Sequence, residues 1–393
     1  VEDVNFDLTS GTGEIVMPEV YPHPLPVTQF AIRGHATEAF NNVVIDAAVV
    51  DVGGPVVTLS GELERREKFV EFQIETNAKA LPIDELDRLW PPEVAVNARK
   101  WITTNIKDGV VNSAALSMSA TANLDDIEAV DVRKATGEIN LRGATVHYLR
   151  SMPPVRNVTG VGRFDGVNFV FDISGGNVGK LNIEAVRATI NGLTGPAPVG
   201  TVRVEATLAG PVRDALALLD QKPFNSILPL GIDPATTRGS HITNTVVEFP
   251  LLDTLDVEDV EVEASVHLED YSALAVMFGS DITQGNFDIS VDKKKLVAKG
   301  DGTVAGVPLK LTWTENFTDE TALRTRYQVQ AILDDGDRKK LGLAANPYLT
   351  GPIGVGLIYE IAVDGAAQGA ANLNLANATM SLSEFGWQKP SGR

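Results

Sequence analysis

The feature that most constrains this chain is a two-residue alternation that returns along most of its length. In "DVEVEASVHLED" (259–270), Val260, Val262, Ala264, Val266 and Leu268 fall on one side of an extended chain. Glu261, Glu263, Ser265, His267 and Glu269 fall on the other. That period belongs to a strand with one dry and one wet face. "KFVEFQIET" (68–76) repeats it with Val70, Phe72 and Ile74, and "DGVNFVFDISGG" (165–176) with Val167, Phe169, Phe171 and Ile173. "TVRVEATLAG" (201–210) sets Val202, Val204, Ala206 and Leu208 against Arg203, Glu205 and Thr207. "GVPLKLTWTEN" (306–316) sets Val307, Leu309, Leu311 and Trp313 against Lys310, Thr312 and Thr314. Turn-forming "SGGN", "NG", "DG" and "DDG" separate the runs, so the pattern predicts about twenty strands in meander order.

Three segments break the alternation. In "PIDELDRLWPPEVAVNARKWITTNI" (82–106), Val94, Ala98, Trp101 and Ile102 recur at helical spacing. That face is expected to pack on the end or side of the β array, as a plug, a lid or a repeat boundary. "GPVRDALALLDQKP" (210–223) carries proline near both ends of a second helix, with Ala215, Leu218 and Leu219 on one side. A third short helix is expected around 335–345. The resulting division is a β meander over 1–80, a helical insertion over 81–110, a meander over 111–209, a helix and loop over 210–235, a meander over 236–332, a short helix over 333–350 and terminal strands over 351–393. These parts are read as one continuous elongated body.

Charge and composition exclude several function classes. A net charge of −19 lacks the basic stripe that nucleic acid needs and disfavours lying on an anionic leaflet. With no cysteine, disulfides, thiolate nucleophiles and Cys-ligated zinc are impossible. His23, His35, His147, His241 and His267 are scattered, none at metal-ligand spacing from another. The acidic runs "DDIEAVD" (125–131) and "DDGD" (334–337) lack the ligand spacing of a calcium loop, and the second suits a turn and helix N-cap. Sequons at Asn157, Asn316 and Asn377 carry no weight without a secretory context. No nucleophile elbow, zinc-protease helix, P-loop or dinucleotide fingerprint occurs. The chain is therefore read as non-enzymatic, with no cofactor and no metal. No apolar run reaches the ~20 residues of a membrane helix. The chain starts without Met and already reads as a strand, so it is taken as a piece of something larger or a mature product.

Several longer segments resemble a known family. "LWPPEVAVNARKWITTNIKDGVVNSAALSMSA" (89–120) has a proline-led helix with an Ala-x-x-Trp turn ahead of a glycine and a strand, here Pro91, Ala98, Trp101 and Gly109. Residues 137–193 add a "GATVHY" strand (Gly143 to Tyr148), a "PPV" step (Pro153 to Val155) and the "FDGVNF" hairpin. "LAGPVRDALALLDQKP", "WTENF" and "YLTGP" continue the likeness. These resemble the AsmA-like superfamily in its YhdP-type branch, over about residues 80–355; the first eighty residues and the Ala/Asn-rich tail are similar only in style. The resemblance implies a periplasmic protein, anchored in the inner membrane by an N-terminal helix absent here. It implies a β-taco-like fold: mostly β, an elongated antiparallel meander array curled into an open groove, with two or three short amphipathic helices. It implies phospholipid acyl chains as the ligand, moved from the inner to the outer membrane through parts absent from this chain.

On that reading the dry residues form the groove floor: Val70, Phe72, Ile74, Val167, Phe169, Phe171, Ile173, Val202, Val204, Leu208, Val260, Val262, Val266, Leu268, Val307, Leu309, Leu311 and Trp313. Alternation alone also fits a structural or adhesin-like β array whose dry faces close on each other. A carbohydrate-acting or hydrolytic enzyme is the lesser alternative, and would need carboxylates or a Ser/His pair gathered in a pocket. Aromatic anchors are few, with 4 Trp and 14 Phe. An aliphatic lining suits mobile acyl chains better than a tightly interlocked core.

Overall fold

The computed structural model describes residues 3–18, 20–92, 96–148, 152–192, 200–222, 227–250, 252, 257–277, 279–318 and 320–392. The protein is mostly β. Its principal element is a 20-stranded antiparallel sheet that is not closed into a barrel. In chain order the strands are β1 (Val4–Ser10), β2 (Gly13–Ile15), β3 (Leu25–Val27), β4 (Gln29–Thr37), β5 (Asn42–Asp51), β6 (Val56–Arg65), β7 (Phe69–Pro82), β8 (Ile106–Lys107), β9 (Val110–Asn123), β10 (Asp126–Val146), β11 (Val155–Phe164) and β12 (Phe169–Val178). They continue with β13 (Leu181–Asn191), β14 (Thr201–Pro211), β15 (Arg238–Pro250), β16 (Glu261–Met277), β17 (Ser280–Val291), β18 (Lys295–Val304), β19 (Val307–Asn316), β20 (Leu323–Leu333), β21 (Leu349–Thr350), β22 (Ile353–Ala362), β23 (Ala367–Asn374), β24 (Thr379–Leu382) and β25 (Trp387–Lys389). Four short helices interrupt them: α1 (Leu86–Leu89), α2 (Val96–Asn105), α3 (Val212–Leu219) and α4 (Asp335–Lys340). The chain divides into two units, residues 1–179, 183–204 and 249–255, and residues 180–182, 205–248 and 256–393.

In the first unit, antiparallel pairing runs β1–β4–β5–β6–β7–β9–β10–β11–β12. In the second it runs β15–β16–β17–β18–β19–β20–β22–β23. Because opposed residues point to the same face, the register carries the dry side from strand to strand. Ala78, Ala114, Ile139, Gly162 and Phe171 stand in one row. In the second unit Thr243, Val266, Ile289, Ala298, Trp313, Tyr327 and Tyr359 form one row. His241, Leu268, Phe287, Gly300, Leu311, Val329 and Leu357 form the next.

Glycines in these rows make room for rings. A Cβ on Gly162 would stand 2.5 Å from Phe169 Cζ and 2.9 Å from Phe171 Cδ2. One on Gly300 would strike the Asn286 carbonyl oxygen and lie 2.7 Å from Phe287 Cδ1.

The helices follow from local chemistry. Asp334 accepts from Asp337 N at 2.8 Å and completes a capping box that starts α4. Pro211 precedes α3, whose buried Val212 and half-buried Leu216 lie one turn apart and pack on the sheet. Arg99 of α2 donates to the Asp87 and Trp90 carbonyl oxygens at 2.6 and 3.0 Å, tying α2 to the α1 segment. Trp101 of α2 is 40% exposed. Trp101 itself is therefore only partly covered, and the segment packs on the sheet through Ile83, Leu86 and Ile106. Val94, part of that expected face, lies outside the described residues.

Candidate functional site

In each unit helices and loops cover part of the dry face. In the first, Val111, Leu141, Ala144 and Val158 are buried beneath Ile83, with Leu86 and Ile106 alongside. These residues stand where β9 and β11 begin and β10 ends. Beside them Leu25, Val27 and Val52 form a second cluster with Ile15, Tyr21 and Leu89, fixed by Tyr21 Oη donating to the Leu89 carbonyl oxygen at 2.9 Å. In the second unit Val212 of α3 buries Leu268, Tyr271, Ala273, Ile282, Phe287 and Val304. Val307, Leu333, Ile353 and Ala378 form the neighbouring cluster. Arg338, 2% exposed, holds that corner by donating to the Leu333 and Gly351 carbonyl oxygens at 3.0 and 2.7 Å.

Away from these caps the same face continues without cover. In the first unit Leu63, Leu116, Val130 and Val132 share the dry face with Phe72 and Ile74 by register. They are exposed by 38%, 42%, 45% and 50%. The opposite face is polar and ion-paired. Arg163 bonds Glu138 and Asp172, and Arg187 Nε donates to Asp172 at 2.7 Å. The Arg187 hydrogen bond, with the charges of Arg187 and Arg163, holds the Asp172 carboxyl below its ordinary range.

The structure distributes the expected floor residues unevenly. Val202, Leu268 and Val307 are buried. Leu268 and Val307 lie inside capped clusters and are core side chains. Val167 is not on a strand. Asp165 Oδ1 accepts from the backbone N–H of Val167 and Asn168 at 3.1 and 2.8 Å, and Gly166 takes φ +95°. These close a turn that leaves Val167 52% exposed. The remaining floor residues are half-buried: Val70, Phe72, Ile74, Phe169, Phe171 and Ile173 in the first unit, Val204 and Leu208 along β14, and Val260, Val262, Val266, Leu309, Leu311 and Trp313 in the second. Phe171, Ile173, Val266, Leu309 and Leu311 border the capped clusters, so they bridge the sealed and open parts of the face.

Glu315 and His241 also lie on the dry face, outside the expected floor residues. Glu315 follows Trp313 by two and is 6% exposed, with its Oε2 accepting from Trp313 Nε1 at 3.2 Å. His241 is 4% exposed. Its Nδ1 meets Thr243 Oγ1 at 2.8 Å, its Nε2 has no partner, and burial pushes its pKa down.

Among the described residues no three His, Asp or Glu side chains gather where they could hold a metal. His267 meets Asp288 at 2.8 Å on the wet face, where both are well exposed. Among the described residues no helix is long and apolar enough to cross a membrane.

The profile of the YhdP protein family matches residues 1–384. The chain belongs to the YhdP family. The match includes the first eighty residues and most of the tail, so it corrects the narrower span of 80–355 read from the motifs. No curated protein and no solved structure matches the chain significantly. Membership of the YhdP family gives an AsmA-like, lipid-transport relationship at family level and a background of non-enzymatic function.

Proposed function

We propose that this YhdP-family chain is a non-enzymatic, lipid-carrying segment whose uncapped dry face receives phospholipid acyl chains in the periplasm, on the way from the inner to the outer membrane. The observation that carries the reading is the half-covered face. In the first unit helices and loops seal one end of the strands, while aliphatic side chains on the same face stay exposed over neighbouring strands. A protein whose dry faces served only as core would bury them, because exposed apolar surface of that extent is unfavourable. A lipid tail laid there gains about 0.8 kcal/mol per buried CH₂, and its headgroup stays in water.

The polar, ion-paired opposite face keeps that side wet. The competing reading, a sealed structural array, requires the open residues to be covered, and Leu116 and Val132 are not. The test is mass spectrometry of organic extracts from the gently washed protein. Phospholipid at one or more equivalents per chain is the expected result. A lipid-free chain that also refuses a fluorescent-tailed phospholipid would refute the proposal.

A further inference from the structure

Glu315 is the anomaly of the dry face. Val307, Leu309, Leu311, Trp313 and Glu315 follow one another at two-residue spacing along β19, with no register shift against β18 or β20. The carboxylate therefore stands on the apolar side, opposite Leu296 and Thr325. It lies at the end of β19 remote from the α3 cap. Its only described partner is the Trp313 indole N–H. Among the described residues no Lys, Arg or His comes within ion-pair distance of it. A carboxylate that is 6% exposed and whose described donor is neutral gains from a cation beside it.

The surroundings specify the kind of cation. Trp313 and Tyr327 stand side by side, ring centroids 6.1 Å apart and planes 20° apart, and Tyr359 follows in the same row. The Tyr327 phenol is raised by burial first, then by the negative charge of Glu315 and by Tyr359, so the carboxylate's field reaches that ring. A carboxylate bordered by aromatic faces favours an organic ammonium over a hard metal ion, which would need several oxygen ligands.

Resting on the lipid-carrying reading above, we infer that Glu315, Trp313 and Tyr327 hold the headgroup ammonium of a zwitterionic phospholipid, while its tails run along Leu311 and Leu309. The ammonium donates to Glu315 and lies against the rings, with the phosphate in water beyond the end of β19.

The test compares phospholipids with identical fluorescent tails and three headgroups: ethanolamine, N-acetylated ethanolamine and glycerol. The purified chain is expected to bind the ethanolamine lipid about tenfold more tightly than the other two, from one ammonium–ring and one charge-paired contact. Glu315→Gln keeps the side-chain shape and should erase the preference without weakening the glycerol lipid. Equal binding of all three by the wild-type chain overturns the inference and leaves the lipid-carrying reading standing. So does a preference that survives Glu315→Gln. The three lipids compare on the unaltered chain, so the inference stays testable if that variant does not fold. Glycerophosphoethanolamine binding as tightly as the lipid would assign the site to a free amine and overturn the lipid assignment. Failure of every lipid to bind would sink both readings.

Discussion

Replacing Leu116 and Val132 together by aspartate should separate the fold from the lipid surface. Both lie on the dry face of the first unit, on neighbouring strands β9 and β10, and are 42% and 50% exposed. Complete burial of such side chains is worth about 1.5–3 kcal/mol each. Roughly half of that is realised here, so the pair should lose about 2 kcal/mol of burial. The poor strand preference of aspartate adds up to about 1 kcal/mol. The total, about 3 kcal/mol, resembles the cost of Phe287→Ala, a fully capped core truncation expected at about 3–5 kcal/mol. Phe287 is 4% exposed under the α3 cap.

Two variants of similar stability should therefore differ in lipid binding. The aspartates would each be desolvated by an acyl chain, at several kcal/mol. Affinity for a fluorescent-tailed phospholipid should fall at least about 100-fold. Phe287→Ala should keep binding within a few-fold. Urea unfolding gives the stability, and a fluorescence titration gives the affinity. Wild-type affinity in the Leu116→Asp/Val132→Asp chain would refute the assignment of the uncapped face.

Three further outcomes follow from the same structure. His241 is buried with a depressed pKa, so below the ordinary value near 6.5 the unfolded chain binds a proton that the folded chain does not. Stability should fall from pH 7 to 5, and melting curves of His241→Gln should be flatter in that window. The lowered Asp172 and Asp337 act in the same direction only below their ordinary value of about 3.8, so the windows separate. Arg338→Met leaves the Leu333 and Gly351 carbonyl oxygens without their buried donor; a loss of about 3 kcal/mol in urea unfolding is expected. Gly300→Ala drives a methyl into the Asn286 carbonyl and the Phe287 ring, and should lower stability by about 1–3 kcal/mol, read from the melting temperature.

Strand identity was legible from the sequence because side-chain direction has a period of two and needs no partner to be read. Glu261, Glu263 and Val262 disclose their faces by neighbourhood alone. Turn chemistry was only half legible: "FDGVNF" announced a turn, but which valine left the strand depended on the Asp165 cap. The helical character of 82–106 was visible by spacing. The partial exposure of Trp101 was not, because which face is buried depends on what the fold brings against it.

The candidate site divides in the same way. The row that joins Trp313 to Tyr327 and Tyr359 needs cross-strand register, which is set by turns and pairing far from any one residue. What covers the face is equally non-local: Tyr21 reaches Leu89, and Val212 reaches Phe287. The sequence by itself determined that the chain would make an antiparallel sheet with one dry side, since period and turn residues are local properties. Only the tertiary structure decided which part of that side is core and which stays open, because cover comes from segments distant in the chain.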